Sequence, residues 1–283
     1  VRKDGKIPHF DKYAVGEILR EAQRRSGRKG ELTLRMRELG GLVRISGDMA
    51  KERNAPLVSR DDVLLARHTA RSLEQQISDE QISALKRYEL FLNKGSAVGM
   101  VNGLAVLSNS NNMSEMSGMV MPLAAEVTPA QNRKSGRIIA TGQLGNIAKE
   151  AVDNISAVIK KYTMTNLSDC DIHLQYVGAY NGVDGDSASI TMATVIISAM
   201  ENIPIRQDLA MTGSLNVRGH VLPIGGVTAK LEAAAEAGIK IALIPKDNGK
   251  DVMIDEKYYD MMEIYTVENI RDVFEYAFVD LSL

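Results

Sequence analysis

The chain lacks tryptophan altogether and holds four phenylalanines, four histidines and one cysteine among its 283 residues. With aromatics at 5% and methionine at 14 residues, any core must be aliphatic and filled by methionine where shapes are irregular. The lone Cys170 excludes an intrachain disulfide and fits a reducing compartment; at the head of a strand-like run it reads as a small buried residue. No apolar run approaches the ~18 residues of a membrane-spanning helix. The sequence shows no signal-peptide pattern, no phosphate-loop lysine and no dinucleotide-binding glycine fingerprint, and no metal site is expected. The chain starts at Val1 rather than at a methionine, which reads as a piece cut from something longer. A net charge of −2 argues against a dedicated nucleic-acid binder. The charge is unevenly spread: residues 1–90 carry 19 Lys and Arg against 14 Asp and Glu, the remainder 15 against 22. That break suggests two units.

Residues 11–25, with Val15, Ile18, Leu19 and Ala22, have helical spacing, and Gly27 and Gly30 end the run. A second helix is expected over Leu32–Ala50, with Leu32, Met36, Leu39, Val43 and Ile45 on one side. Ser59-Arg60-Asp61-Asp62 reads as the capped start of a third. The first 77 residues are therefore expected to be a small helical bundle without strands, His9 and His68 being surface or capping residues. The basic run Arg24–Lys29 reads as a solvated turn, with a phosphate or nucleic-acid contact as the second reading. Ser78–Asn93 could continue as helix. Strands are expected over 100–107, 118–127, 138–142, 171–177, 241–245 and 264–267, with 108–117 a polar loop containing Met113 and Met116. Leu209–Val217 and His220–Pro223 read as a hairpin through Arg218-Gly219. Helices fill 146–161 (Ile147, Val152, Ile155 and Ile159 inward), 187–202, 227–237 and 268–277. Alternating strands and helices describe an α/β domain with a mixed sheet.

Two stretches carry the chemistry. Gly182-Val183-Asp184-Gly185-Asp186-Ser187-Ala188-Ser189 is a tight loop between a strand and a small-residue helix. Ser187, at the first turn, is open to two readings. It could cap the helix, or it could be a nucleophile whose oxyanion would meet free N–H groups and the positive helix end. The second stretch is the helix over 227–237. Lys230 shares a side with Val227, Ala233, Ala234 and Ala237, with no carboxylate three or four residues away. Such a lysine either snorkels or is desolvated enough to serve as a general base. Serine with lysine is a known nucleophile–base pair. His173, mid-strand, and His220, at a hairpin corner, are weaker candidates for the base.

Gly185-Asp186-Ser187-Ala188-Ser189, Ala210-Met211-Thr212-Gly213-Ser214, Val221-Leu222-Pro223-Ile224-Gly225-Gly226 with Lys230, and Ile244-Pro245-Lys246-Asp247-Asn248 together resemble the proteolytic domain of the Lon family. The likeness extends through Val101-Asn102-Gly103-Leu104-Ala105 and Gly142-Gln143-Leu144-Gly145, and the acidic loop resembles the archaeal, membrane-anchored branch. Leu32-Thr33-Leu34-Arg35-Met36-Arg37-Glu38-Leu39 is similar to the small helical lid of that family's AAA+ ATPase module. The resemblance implies an α/β (α+β) proteolytic domain with a mixed sheet, of the Lon or ribosomal-S5-domain-2-like type, behind a small all-α lid. Its boundaries would be 1–77 for the lid, 78–95 for a linker and 96–283 for the protease. It further implies an ATP-dependent serine endopeptidase that degrades unfolded or misfolded proteins as a homo-hexamer through an acyl-enzyme. Ser187 would be the nucleophile, Lys230 its base and Thr212 the lysine's hydrogen-bond partner. Asp184 and Asp186 would shape the loop and engage Lys230 when the site is idle. Arg35, with Arg37 as alternative, would sense ATP, and the first β-stranded segment would take substrate by strand addition. ATP and Mg2+ would belong to the full-length protein and none to this piece. The parent would sit at the cytoplasmic face of the cell membrane through an upstream anchor, and this piece would be soluble. The rival reading is a non-catalytic ring-assembly or nucleic-acid-binding module of the same fold.

Overall fold

A computed structural model describes residues 7–69, 76, 80, 83, 91–109, 112–130, 136–141, 144–163, 167–178 and 184–279. The chain divides into two compact units, one of residues 1–77 with 108–116 and 250–253, the other of 78–107, 117–249 and 254–283. Ser78–Asn93, expected to continue as helix, lies largely outside the described residues, as do Gly142, Gln143, Gly182 and Val183.

In the first unit, β1 (His9–Phe10) leads to α1 (Lys12–Ser26), α2 (Met36–Glu52), β2 (Leu57–Val58) and α3 (Arg60–Thr69). Asp11 caps α1 by accepting from the Ala14 N–H at 2.7 Å, and Gly27, at φ 73°, closes it in the left-handed conformation that glycine takes without strain. Ser59 and Asp62 exchange hydrogen bonds before α3, as the cap-like spacing predicts. Two expectations need correcting here. The helix expected from Leu32 begins at Met36, and its buried stripe is Leu42, Ser46, Gly47 and Ala50; Leu32 and Met36 are exposed because they precede the turns that pack on α1 and α3. The unit is also not purely helical, since His9–Phe10 pairs in parallel with Leu57–Val58, a two-residue ladder too short to show in local periodicity.

Glu21 on α1 is 1% exposed, and Arg24 and Arg25 bond its carboxylate at 2.7 Å each. Burial pushes this carboxyl up, but the two guanidiniums outweigh it and hold the group below the usual range. Half of the basic run is thus turned inward to a carboxylate rather than to solvent.

In the second unit, apart from residues 108–116 of β4 and β5, β3 (Ser96–Ala97), β4 (Met100–Asn109), β5 (Asn112–Pro129) and β6 (Ile138–Thr141) precede α4 (Asn146–Tyr162). Then come β7 (Cys170–Tyr176), α5 (Ser189–Glu201), β8 (Ile205–Arg206), β9 (Leu209–Met211), β10 (Ser214–Leu215) and β11 (Val221–Leu222). The unit ends with α6 (Val227–Glu236), β12 (Ile241–Pro245), α7 (Glu256–Tyr259), β13 (Glu263–Val267) and α8 (Ile270–Ala277). Seven strands form one mixed sheet in the order β13-β12-β9-β4-β5-β7-β6. β12 runs parallel to both β13 and β9, and β4 parallel to β9, with Asn102 opposite Ala210 and Gly103 opposite Met211. β5 is antiparallel to β7, and β6 parallel to it.

The α/β architecture with a mixed sheet agrees with the sequence reading; three details depart from it. Most of the stretch 108–117, expected as a polar loop, belongs to β4 and β5, because strand pairing carries polar residues that periodicity assigns to a loop. The single strand expected over 209–217 breaks at Thr212-Gly213: β9 joins the large sheet, while β10 pairs only with β11. Ile147, expected inward, is 53% exposed in the first turn of α4, whereas Val152, Ile155 and Ile159 are buried. Met119 and Met121 fill the core, and Cys170 is a buried free thiol, as expected.

α5 is buried continuously from Ser189 to Ser198, which explains why its apolar residues run around the whole helix rather than along one stripe. α4 and α8 pack on it, and α6 packs on β12. Asn102, 1% exposed, ties this centre together by donating to the carbonyls of Leu92 and Gln207 at 2.8 and 2.9 Å. Among the described residues no helix is long and apolar enough to cross a membrane.

Candidate active site

The turn that precedes α5 holds Ser187 clear of helix capping. α5 starts at Ser189, its N-cap residue is Ala188, and no side chain caps it. The polar work there falls to Ser189, whose N–H and hydroxyl both reach the Asp186 carbonyl, at 3.0 and 2.6 Å. The capping alternative for Ser187 is therefore not realised. Its hydroxyl is left for other chemistry, half-buried at the foot of a helix whose positive end faces it. Among the described residues the backbone N–H groups of Ser187 and Ala188 find no acceptor. Two free donors beside a serine are the arrangement that holds a developing oxyanion.

Lys230, in the first turn and a half of α6, is 1% exposed and heads the largest fully buried side chains. Snorkelling is excluded by that number. Its Nζ donates to Thr212 Oγ1 at 3.0 Å, and Thr212 Oγ1 donates in turn to the Ser187 carbonyl at 3.0 Å. The Gly213 N–H reaches the same carbonyl at 2.8 Å. A chain of hydrogen bonds therefore runs from the amine through Thr212 to the residue that bears the free hydroxyl. Among the described residues Ser187 Oγ has no hydrogen bond to Lys230, an openness common before substrate arrives. Burial lowers the lysine to about 8 from 10.5, against a partial restoring pull from the Asp186 carboxylate.

The acidic loop does two separate things. Asp184 Oδ1 accepts from the N–H groups of Ile147, Ala148 and Gly185 at 3.1, 3.3 and 2.9 Å. It thus caps α4 from a distance, supplying the acceptor that the N-cap residue Gly145 has no side chain to offer. A methyl on Gly145 would lie 2.8 Å from the Asp184 Cβ, so glycine is what admits the carboxylate. Asp186 Oδ2 instead accepts from Ser214 Oγ at 2.6 Å.

Of the residues singled out in the sequence, the structure gathers Ser187, Lys230, Thr212, Asp184 and Asp186 in the second unit. Arg35 belongs to the first, with an exposed side chain at the start of α2. His173 is exposed on β7 and faces Thr128 Oγ1 at 3.2 Å; His220 is on the turn before β11 with its N–H on Asn216. Among the described residues neither makes a hydrogen bond to Ser187. Three further residues bear on the site that the sequence gives no role. Ser214 reads there as part of a hairpin. Asn248 grips Ile224 in the loop before α6 through both its amide atoms, at 2.8 and 3.0 Å. Gly118 on β5 sits so close to α6 that an added methyl would overlap the Ala229 carbonyl and come within 2.9 Å of the Lys230 backbone nitrogen. A glycine inside a strand was the available signal for such an approach.

No group of three or more His, Cys, Asp and Glu side chains that could hold a metal ion occurs among the described residues. Residues 73–280 match the model of the Lon protease (S16) C-terminal proteolytic domain, and residues 9–72 that of the archaeal LonB AAA+ ATPase lid domain. An archaeal Lon protease of Methanothermobacter thermautotrophicus is 57% identical over 279 residues, covering 99% of this chain and 42% of that protein. One of Thermoplasma acidophilum is 55% identical over 280 residues, 99% of this chain and 43% of its own length. The archaeal Lon protease of Methanocaldococcus jannaschii is 30% identical over 290 residues, 90% of this chain and 43% of its own. The chain thus spans about two-fifths of the length of these curated relatives. The matches run in the same order as the two units, lid model before protease model, and the chain belongs to the Lon protease family.

Proposed function

We propose that this chain carries the peptidase half of an ATP-dependent protease, in which Ser187 attacks the scissile carbonyl and Lys230 is its general base. The observation that carries the reading is the buried amine of Lys230, bonded to Thr212, which is bonded to Ser187. In the forward step neutral Nζ takes the Ser187 proton as Oγ bonds to the carbonyl carbon. The oxyanion turns toward the N–H groups of Ser187 and Ala188. The lysine then returns its proton to the leaving amine, and the acyl-enzyme is hydrolysed by water activated by the same amine. Thr212, accepting from Nζ, aims the amine's remaining lone pair; Asp184 fixes the loop on α4. Substrate would be unfolded protein or peptide. Among the described residues β4 pairs with β9 at Asn102 and Gly103, and an extended peptide would add along β4 beyond them.

The exposed guanidinium of Arg35, or of Arg37, suits a nucleotide phosphate. ATP with Mg2+ would supply the energy of hydrolysis to a hexameric parent at the membrane's cytoplasmic face, through parts of the protein upstream of this chain.

Labelling with a fluorophosphonate and cleavage of a small peptide test the assignment. Ser187→Ala should abolish both, and Lys230→Ala should reduce both by at least ~100-fold, with far-UV circular dichroism unchanged. Full activity in either variant would sink it. Since the lysine must be neutral, acylation should rise with pH through about 8, roughly tenfold between pH 7 and pH 9. A flat profile across that interval is the contrary result.

A further inference from the structure

Thr212, in the link after β9, and Ser214, the first residue of β10, lie two residues apart in the chain. Thr212 meets the lysine and Ser214 meets Asp186. Ser214 is 5% exposed and held by the β10–β11 ladder, where it pairs with Leu222. Asp186 is pinned at its carbonyl by Ser189 and at its carboxylate by Ser214 Oγ, 2.6 Å away. The two bonds fix the backbone and the side chain independently.

Asp186 is the carboxylate whose charge acts on the Lys230 amine. α5 as far as Ser198, the run from β9 through β10, and β12 contain no charged residue; β5, which meets α6 at Gly118, carries Glu115 and the exposed Glu126. Asp184 is engaged at α4. On α6 itself Glu232 and Glu236 follow on another face, with Glu236 accepting from the Tyr258 hydroxyl at 2.6 Å. Burial is the larger influence on this amine, and the Asp186 carboxylate opposes it.

We propose that Ser214 is a positioning residue for the reaction: its hydroxyl anchors the Asp186 carboxylate at β10, keeps that charge from closing on the Lys230 amine, and so leaves the amine free to act as a base. The inference rests on Ser187 and Lys230 being nucleophile and base. Asp186 is exposed, so a carboxylate released from Ser214 is free to swing, and contact with the amine would stabilise the protonated lysine. Ser214 then acts on the lysine through Asp186 and touches neither reacting atom.

The experiment follows the rate of Ser187 labelling by a fluorophosphonate from pH 6 to pH 10, on the full chain and its variants. Ser214→Ala should move the midpoint up by about one pH unit, so that labelling at pH 7 drops roughly tenfold while the high-pH plateau is kept. Ser214→Thr, which keeps the hydroxyl, should hold the original midpoint. In an Asp186→Asn background Ser214→Ala should move nothing. An unmoved midpoint in Ser214→Ala, or a shift that persists without the Asp186 charge, overturns the proposal. Asp186→Asn alone should lower the midpoint, and this remains decisive if Ser214→Ala does not fold; a midpoint that stays or rises refutes the inference. Absence of labelling in the unaltered chain at every pH would instead overturn the nucleophile assignment, and this inference with it.

Discussion

Replacing Lys230 by methionine should disable the chain and make it more stable. The amine is buried and stands at about 8, against 10.5 for a free lysine. The unfolded chain therefore binds more protons than the folded one between those two values, and stability rises with pH across that window. Below pH 8 both states are charged and the folded state bears the whole cost of burying the ammonium, about 3 kcal/mol at ~1.4 kcal/mol per pKa unit. Methionine has a similar length and no charge. Against that gain stands the lost hydrogen bond to Thr212, about 1 kcal/mol, with Thr212 still donating to the Ser187 carbonyl. The expected net is about 2 kcal/mol of stabilisation at pH 7, shrinking to near zero at pH 9.5, where the penalty in the parent has fallen to about 1.4 kcal/mol. Urea unfolding followed by far-UV circular dichroism at the two pH values measures it. A Lys230→Met variant less stable than its parent at pH 7, or a difference that does not change with pH, would refute the reasoning and show the amine to be solvated or paired.

Gly118→Ala should cost 1–3 kcal/mol, as overpacking of a tight interior does, and should lower peptide cleavage more than its loss of stability explains, because the added methyl displaces the backbone that carries Lys230. Cleavage assayed well below the variant's melting temperature separates the two effects. Asp184→Ala should lower stability by about 1 kcal/mol through loss of the α4 cap; its acylation midpoint should match the parent's, since Asp184 bonds backbone N–H groups and not the lysine.

Elements whose pattern is local were legible in the sequence. α1, α6, β7 and β12 show their period and their stop signals within a few residues, and Gly238, at φ 84°, closes α6 as its position after the last apolar residue suggests. Lys230 stood out for the same reason: its neighbours three and four positions away are apolar, and the fold buries what they imply. The misread segments depend on partners far along the chain. Met211 pairs with Leu243 and Gly103 while Ser214 pairs with Leu222, so one run of sequence is split between two sheets. The length of β5 is likewise set by pairing rather than by its own polar residues. Within the site, Ser214 was hidden because Asp186, its partner, lies 28 residues earlier. The task of Asp184 was hidden because the helix it caps starts 38 residues before it and carries glycine where a capping side chain is expected.

The break at Thr212-Gly213 has a mechanical consequence. Where β9 leaves the sheet, its polar groups are redirected: the Thr212 N–H stays on Leu243 at 3.1 Å, the Gly213 N–H goes to the Ser187 carbonyl, and the Gly213 carbonyl takes the Ile190 N–H at 3.2 Å. The turn holding the nucleophile is therefore stitched to the end of a central strand as if it were a short extra strand of the sheet. Its stiffness is borrowed from β9 and β12. Ser187 can rotate its hydroxyl about one bond, but its backbone can shift only if the middle of the sheet shifts with it.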